Sequence, residues 1–351
     1  MRYHRRWTPT WVGSLEASSD GRRGQITLGP MFHRRTIALV IVGAMQVTAC
    51  GTPTRDSLQP TAIASAEPAT ASVPGQRLAF AALRYRTAIF SAATSTTVTY
   101  GSAPDFITNA PITLQLDLYR PTSDVATDRP LLVWIHGGAF LSGNRGQMAA
   151  ESRAYAQLGY VTASISYRLD PGNHCLQVQA GLYSGAELVA ERARCEKAIL
   201  GARDDAAMAI AWLRANAATY GIDPTRVAVG GSSAGAITAI HVGQTLNTPG
   251  SPPPAASQVS AVLAMSGCNY VDNSIDAFDA PIAVSASGGD PLVPFACSAA
   301  TVNAAEAVGT PVVRNFYEQE SAHAQALYFQ HQAEIDRSWR LFLIDHLDLA
   351  P

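Results

Sequence analysis

A five-residue segment, Gly231-Ser232-Ser233-Ala234-Gly235, is the part of this sequence best suited to chemistry. It follows a short apolar run, residues 226–230, that is typical of a buried strand, and it precedes an alanine-rich stretch, residues 234–246, that is typical of a helix. The small residues around Ser233 allow a tight turn between strand and helix, so that the serine hydroxyl projects from the turn. We therefore predict that Ser233 is a nucleophile, provided that a base and an acid lie beside it.

A histidine that follows Ser233 is expected to supply the base. Of the three candidates, His331 and His346 fall inside the last helical pattern, where a packing or surface role is more typical. His323 lies in a loop, residues 318–323, between the last predicted strand and the last predicted helix. A base must lie in such a loop to reach the serine across the end of a sheet, so we predict that His323 is the base.

A carboxylate must orient that base, and Asp290 has the most suitable position. It follows a predicted buried strand and a glycine turn in residues 287–294, Ser-Gly-Gly-Asp-Pro-Leu-Val-Pro. The alternative role for such an aspartate is to stabilise its loop through an Asx turn. The other loop carboxylates after the serine are Asp272, Asp276 and Asp279. With Asp290 as the acid, the order along the chain is serine, aspartate, histidine.

Backbone donors for a developing oxyanion are predicted at two places. The segment His136-Gly-Gly-Ala-Phe140 follows a predicted strand, and its paired glycines leave the amides of Gly137 and Gly138 uncovered. The amide of Ala234, directly after the nucleophile, is the third candidate donor. Loss of one such donor typically costs about 3 kcal/mol in the transition state. The alternative is a glycine turn selected only for its backbone angles. We expect His136 to shape this turn by hydrogen bonding. It is a poor candidate for the base, because it precedes the serine in the chain.

Alternating strand and helix patterns begin near residue 97. Strands are predicted at residues 112–118, 131–135, 161–167, 226–230, 259–265, 281–285 and 311–317, and helices at residues 148–158, 196–220, 234–246, 298–308 and 324–347. Residues 170–195 are predicted to be a loop-rich insertion. The pattern predicts an α/β fold: a doubly wound, mostly parallel sheet with helices on both faces, in a single domain. Chemistry is expected at the carboxyl ends of the strands.

The N-terminal residues 1–49 are predicted to be an extension followed by a signal peptide, with Met31 as the true start. A short basic stretch and a short apolar stretch precede Val47-Thr-Ala-Cys50. This ending resembles the lipobox of bacterial lipoproteins, in which Cys50 would be lipidated; the alternative is an ordinary signal peptide with an incidental cysteine. We expect an exported protein, periplasmic or extracellular, that is anchored to a membrane.

Residues 50–76 are rich in Thr, Ala, Ser and Pro, which predicts a flexible tether before a catalytic domain at residues 77–351. An exported chain matures in an oxidising compartment, where cysteines pair. We expect disulfides between Cys175 and Cys195 and between Cys268 and Cys297, although three pairings are formally allowed and four buried thiols are the alternative.

Composition excludes several classes of function. The formal net charge is −2, and residues 1–50 carry seven Arg against Glu16 and Asp20, so residues 51–351 sum to −7. An acidic body with Lys197 as its only lysine argues against a nucleic-acid partner. The sequence has no P-loop, no G-x-G-x-x-G, no H-E-x-x-H and no Cys/His cluster at zinc spacing. We therefore predict no cofactor and no metal.

From about residue 95 to its end, the chain resembles the α/β-hydrolase carboxylesterases, in particular the hormone-sensitive-lipase-like and type-B groups. The shared segments are His136–Phe140, Tyr167-Arg168-Leu169, Tyr220–Arg226, Gly231–Gly235, Asp290–Pro294 and His323. Ser232 stands where these two groups carry aspartate or glutamate. The resemblance implies hydrolysis of a small-molecule carboxylic ester through an acyl-enzyme intermediate.

Other activities of the same fold stay open at this point, namely a serine peptidase, a lipase, or an inactive relative that serves as a binding module. The 57 residues between Ser233 and Asp290 leave no room for a helical cap over the site. We therefore expect an open site that prefers short acyl chains, with Leu182 and Tyr183 of the insertion as part of its wall. The sequence carries no signal for an oligomeric state.

Overall fold

The structure is a computed structural model that describes residues 83–91, 93–247, 250–271 and 275–349. All of them belong to one compact unit, residues 69–351. The expected signal peptide and the whole expected tether, with Cys50, lie outside the described residues, as does Asp272. Within the described ranges, no helix is both long enough and apolar enough to cross a membrane.

Eight strands form one sheet in the order β1-β2-β4-β3-β5-β6-β7-β8. Their bounds are β1 Ala93–Pro104, β2 Pro111–Pro121, β3 Arg129–Ile135, β4 Val161–Ile165, β5 Ile222–Ser232, β6 Ala261–Met265, β7 Ile282–Ser287 and β8 Val312–Tyr317. β2 pairs antiparallel with β1 and with β4, whereas all pairs from β4 to β8 are parallel. The predicted doubly wound, mostly parallel sheet is therefore confirmed.

The sheet is covered on both faces, which explains why its central strands are continuous apolar runs. Leu131 and Val133 of β3 belong to one core cluster, and Leu132 and Trp134 belong to the other. All seven residues of β3 are buried. Strands with two buried faces cannot alternate between apolar and polar residues, so the dense runs in the sequence are the expected signature.

The helices divide between these two clusters. Their bounds are a 3-10 turn Arg145–Met148, then α1 Ala149–Leu158, α2 His174–Gln179, α3 Gly185–Ala215, α4 Ala217–Tyr220, α5 Ala234–Gln244, α6 Phe295–Ala307, α7 Gln325–Gln330 and α8 Gln332–His346. Helices α3, α5 and α6 contribute to the first core cluster, and α1, α7 and α8 contribute to the second. The helices thus lie on both faces, as predicted.

The prediction of a loop-rich insertion at residues 170–195 is wrong. The structure has helix α2 there, and helix α3 already begins at Gly185. Ser184 has extended backbone angles at the start of α3, and Glu187 lies in the first turn, where a negative charge is favourable. The first turns of α3 are largely exposed, so they show no apolar period by which the helix could be recognised.

Two predicted helices are interrupted. The helix predicted at residues 196–220 ends at Ala215, and a short helix follows after Asn216. The final predicted helix, residues 324–347, divides at His331, where the backbone leaves the helical region with φ −115° and ψ 24°. The strand predicted at residues 161–167 ends two residues early, at Ile165.

Helix α3 is fixed to the end of β4 by a buried ion pair. The Arg168 guanidinium contacts the Asp205 carboxylate at 2.6 Å, and the Arg168 amide donates to the same carboxylate at 2.8 Å. The Asp205 side chain is fully buried. Burial raises its pKa, and the bonds from Arg168 offset only part of that effect. The main effect of the pair is therefore to fix the position of α3 relative to β4, because a buried ion pair adds little net stability to the fold.

Candidate active site

The serine of the Gly-x-Ser-x-Gly segment lies in the turn between β5 and α5. Ser233 has φ 55° and ψ −119°, a backbone conformation that is costly for a residue with a side chain. A Cβ at Gly231 would lie 2.2 Å from the carbonyl oxygen of Gly235, and a Cβ at Gly235 would lie 2.1 Å from that of Ile135. Gly231 therefore lets the end of β5 lie against α5, and Gly235 lets α5 lie against the end of β3. The Ser233 amide donates to the Met265 carbonyl at 2.8 Å.

The structure brings the three predicted chemical side chains into one hydrogen-bonded row. His323 Nε2 lies 2.8 Å from Ser233 Oγ. His323 Nδ1 lies 2.8 Å from both carboxylate oxygens of Asp290. An ionised carboxylate only accepts hydrogen bonds, so Nδ1 carries the ring proton and Nε2 is left to accept the proton of the serine hydroxyl.

Asp290 is held in its ionised form by its surroundings. Its side chain is fully buried, and burial alone would raise its pKa. Hydrogen bonds from His323, from the amides of Val293 and Leu292, each at 2.9 Å, and from the Ser266 hydroxyl outweigh burial and lower the pKa below its ordinary value. The carboxylate is therefore charged at neutral pH and faces the His323 ring.

The other carboxylates considered from the sequence stabilise loops. Asp276 accepts from the amides of Gly250 and Phe278, at 2.6 and 2.8 Å. Asp279 accepts from the amide of Asp276 at 2.8 Å. The bonds from Phe278 and from the Asp276 amide are the local side-chain-to-backbone bonds that aspartate commonly makes in turns, whereas the bond from Gly250 ties two loops that are far apart in the chain.

The other histidines considered as bases also have structural surroundings. His331 Nε2 lies 2.7 Å from a carboxylate oxygen of Glu320, and its ring stacks on Tyr317 with 3.8 Å between ring centroids. The His346 ring packs edge-on against Phe342. Only His323 among the three contacts the candidate nucleophile within the described residues.

The predicted oxyanion segment forms a turn with unusual backbone angles. Gly138, Ala139 and Phe140 have φ values of 110°, 55° and 65°. A Cβ at Gly138 would lie 2.0 Å from the carbonyl oxygen of Ser142, so glycine is required there. This close turn directly follows β3, the strand next to β5 in the sheet.

Three backbone amides near the serine are free to bind a ligand oxygen. Within the described ranges, the amides of Gly137 and Gly138 donate to no protein group. Ala234 is the first residue of α5, so its amide has no partner within the helix. Gly137 is adjacent to the serine, since a Cβ built on it would lie 3.3 Å from the Cβ of Ser233.

His136 stabilises this turn as a neutral side chain. Burial lowers its pKa to about 4, against a smaller opposite effect of its bond to the Gly137 carbonyl. At neutral pH its Nδ1–H therefore donates to that carbonyl, at 2.7 Å. The Tyr167 ring stacks on the imidazole at 4.3 Å between centroids, and the Tyr167 hydroxyl donates to the His136 carbonyl at 3.1 Å. These contacts hold the turn that follows β3.

Sequence reasoning missed Ser266, which follows β6 directly. Its side chain is fully buried, and its hydroxyl contacts the Asp290 carboxylate while accepting from the Ala324 amide at 2.9 Å. One serine thus joins the residue after the candidate base to the candidate acid. Its position at the carboxyl end of a buried strand was the available signal in the sequence.

Both expected disulfides are present, and each fastens a segment near the site. Cys175–Cys195 joins α2 to α3. Cys268–Cys297 joins the loop after β6 to α6. The end of α2 reaches the site as well, because the side-chain Nε2 of Gln179 donates to the Pro291 carbonyl at 3.4 Å, next to the candidate acid.

Leu182 and Tyr183 of the insertion were expected in the wall of the site, and their surroundings differ. Leu182 is 66% exposed. The Tyr183 hydroxyl donates to Gln177 of α2 at 2.7 Å and is therefore held against the insertion itself. In the part of the chain that the structure describes, no cluster of three or more His, Cys, Asp or Glu side chains could hold a metal ion.

The lowered pKa of Asp290 predicts a pH dependence of stability. An unfolded aspartate has a pKa of about 3.9, so the ionised form favours folding above that pH. The excess in free energy of unfolding of the wild type over Asp290→Asn should be constant from neutral pH to about pH 5, and it should disappear as the pH falls through the lower, folded-state pKa. Urea unfolding of both proteins across this range checks the prediction, and an excess that grows in acid would contradict it.

Two protein families match parts of the chain, BD-FAE at residues 116–177 and alpha/beta hydrolase fold at residues 189–277. The chain is 34% identical over 132 residues to phenmedipham hydrolase of Pseudarthrobacter oxydans, which covers 37% of this chain and 23% of that protein. It is 33% identical over 136 residues to esterase LipC of Mycobacterium tuberculosis, which covers 38% of this chain and 28% of that protein. The chain thus spans about a quarter of the length of these relatives.

Solved structures match over a much larger share. Esterase 2 of Thermogutta terrifontis, phosphorylated by paraoxon, has a TM-score of 0.56 at 20% identity and covers 73% of this chain and 96% of that one. Its butyrate-bound structure has a TM-score of 0.54 at 20% identity, and covers 77% of this chain and 99% of that one. Together with the strand order, these matches show that the chain has the α/β-hydrolase fold.

Proposed function

We propose that the protein hydrolyses carboxylic esters through an acyl-enzyme on Ser233. The observation that carries the proposal is the unbroken row of hydrogen bonds from Ser233 Oγ through the His323 ring to Asp290, with 2.8 Å at each contact. This arrangement converts an alcohol into a nucleophile at neutral pH. The esterases among the sequence relatives and structural neighbours support the same activity.

In the acylation step, Ser233 Oγ attacks the ester carbonyl carbon while His323 Nε2 takes the hydroxyl proton. The carbonyl oxygen gains a negative charge, which we propose the amides of Gly137, Gly138 and Ala234 bind. When the tetrahedral intermediate collapses, the protonated His323 returns its proton to the departing alkoxide. An alcohol leaves, and the acyl group stays on the serine.

In the deacylation step, water replaces the alcohol. His323 takes a proton from the water as its oxygen attacks the acyl carbonyl, and it then protonates Ser233 Oγ as the serine leaves. The buried, ionised Asp290 stabilises the imidazolium that forms in each step and keeps the ring proton on Nδ1. The complete row argues against an inactive binding module, because no member of it has been replaced.

Fluorophosphonate labelling tests the nucleophile. The wild type should react covalently and hydrolyse p-nitrophenyl butyrate, whereas Ser233→Ala should not be labelled and should lose roughly four to six orders of magnitude in kcat. Asp290→Asn should lose about 10⁴-fold, because the histidine no longer has a fixed tautomer. Ser251→Ala, at an exposed loop serine, serves as the control. Labelling that persists in Ser233→Ala would refute the proposal.

We further propose that short acyl esters are preferred. The described residues between β6 and β7 contain no helix that could form a cap, so nothing there builds an enclosed channel for a long chain. The ratio kcat/KM should be higher for p-nitrophenyl butyrate than for the palmitate ester, measured below the aggregation limit of each substrate. A higher value for the palmitate ester would contradict this preference.

An exported, lipid-anchored state remains our proposal for the cell. It is supported by the signal-like pattern of residues 31–50 and by two disulfides, which persist in oxidising compartments. The wild type expressed in a bacterium should sediment with membranes and incorporate labelled palmitate, and Cys50→Ala should do neither while it keeps its esterase activity. Incorporation of labelled palmitate into the Cys50→Ala variant would contradict this proposal.

A further inference from the structure

The turn that carries the candidate acid lies against the loop that carries the candidate base. We call residues 287–290 the acid turn and residues 317–324 the base loop. The hydroxyl of Ser287, the first residue of the acid turn, donates to the carbonyl oxygen of Ala322 at 2.7 Å. Ala322 directly precedes His323, so this bond holds the peptide group from which the base extends.

Two backbone bonds accompany this contact. The amide of Gly288 donates to the carbonyl of Tyr317 at 3.0 Å, and the amide of Gly289 donates to that of Glu320 at 2.8 Å. A Cβ at position 288 would lie 2.0 Å from the carbonyl oxygen of Glu318. The glycines therefore let the two segments approach closely, and Ser287 adds the only side-chain bond from the acid turn to the backbone of the base loop within the described residues.

The base loop needs such support because its backbone is strained. Ala324, directly after the base, has φ 49° and ψ −115°, a conformation that costs a non-glycine residue of order 1–3 kcal/mol. It is held downstream by the bond from its amide to Ser266. The bond from Ser287 to Ala322 holds the upstream side. His323 thus lies between two serine contacts, one on each side.

We propose that Ser287 is a positioning residue for the proton transfers made by His323. It acts through the base loop and does not contact the substrate. Without its hydroxyl, the Ala322 carbonyl loses this donor and the base loop can relax away from the serine. Misplacement of a catalytic group by about 1 Å can lower a rate roughly 100-fold. This inference rests on the proposed esterase activity.

The chain offers a matched control on the same strand. Ser285 lies two residues before Ser287 on β7, so both side chains are on the same face of the sheet. Both are fully buried, but within the described residues the Ser285 hydroxyl has no hydrogen-bond partner. Replacement of either serine by alanine removes one buried hydroxyl from β7, and only replacement of Ser287 breaks a bond to the base loop.

The experiment compares steady-state kinetics of the full chain with p-nitrophenyl butyrate. Ser287→Ala should lower kcat about 10- to 100-fold with KM changed less than about twofold, because only the placement of the base is disturbed. Ser285→Ala should keep the wild-type kcat. Ser287→Thr, which keeps a hydroxyl, should recover most of the activity lost in Ser287→Ala. The rate of fluorophosphonate labelling should follow kcat across the three variants.

Equal losses of kcat in the two alanine variants would overturn the inference, as would a rise in KM with kcat unchanged in Ser287→Ala. If the added methyl group prevents folding of Ser287→Thr, the two alanine variants decide the question, with thermal unfolding to show that both are folded. A wild type that is labelled but hydrolyses no ester would refute the proposed function alone, since the labelling rates of the variants still test Ser287.

Discussion

The backbone conformation of Ser233 is the constraint on which the rest of the site depends. At φ 55° the residue lies in a region that serine avoids, and it stays there because β5 and α5 meet at that point with glycine on either side. The strain places the hydroxyl at the apex of the turn. The first amide of α5 lies beside this residue and has no acceptor within the helix, so one turn carries both the candidate nucleophile and a candidate donor to an oxyanion.

The sheet brings the remaining groups to that apex. Segments that follow β3, β5, β6, β7 and β8 all emerge at one edge, because parallel strands end on the same side. They carry, in this order, the glycine turn, the candidate nucleophile, Ser266, the candidate acid and the candidate base. Serine side chains at the ends of β6 and β7 then bind the backbone on both sides of the base. Side chains far apart in sequence are thereby placed to within hydrogen-bond distance of each other.

Much of this arrangement is predictable from the sequence, and the exceptions have physical causes. Dense apolar runs identify the parallel strands, and the position of Asp290 and His323 after such runs identifies the acid and base candidates. Helix α2 was missed because it is short and has no buried residue, and the first turns of α3 were missed because they are mostly exposed, so neither shows an apolar period. The positions of Ser266 and Ser287 at strand ends were visible in the sequence, but their contacts were not, because the partners lie more than 20 residues away and no local pattern encodes such contacts.

The two cross-links have a practical consequence for preparing the protein. Cys175–Cys195 and Cys268–Cys297 are separated by 20 and 29 residues in the chain, so each closes a moderate loop and restricts the unfolded ensemble. Neither lies within the sheet, so a reduced chain can still assemble its strands while the segments that border the candidate active site are no longer cross-linked. Material produced in a reducing cytosol is therefore expected to be heterogeneous, and secretion or oxidative refolding is the appropriate route to a uniform sample.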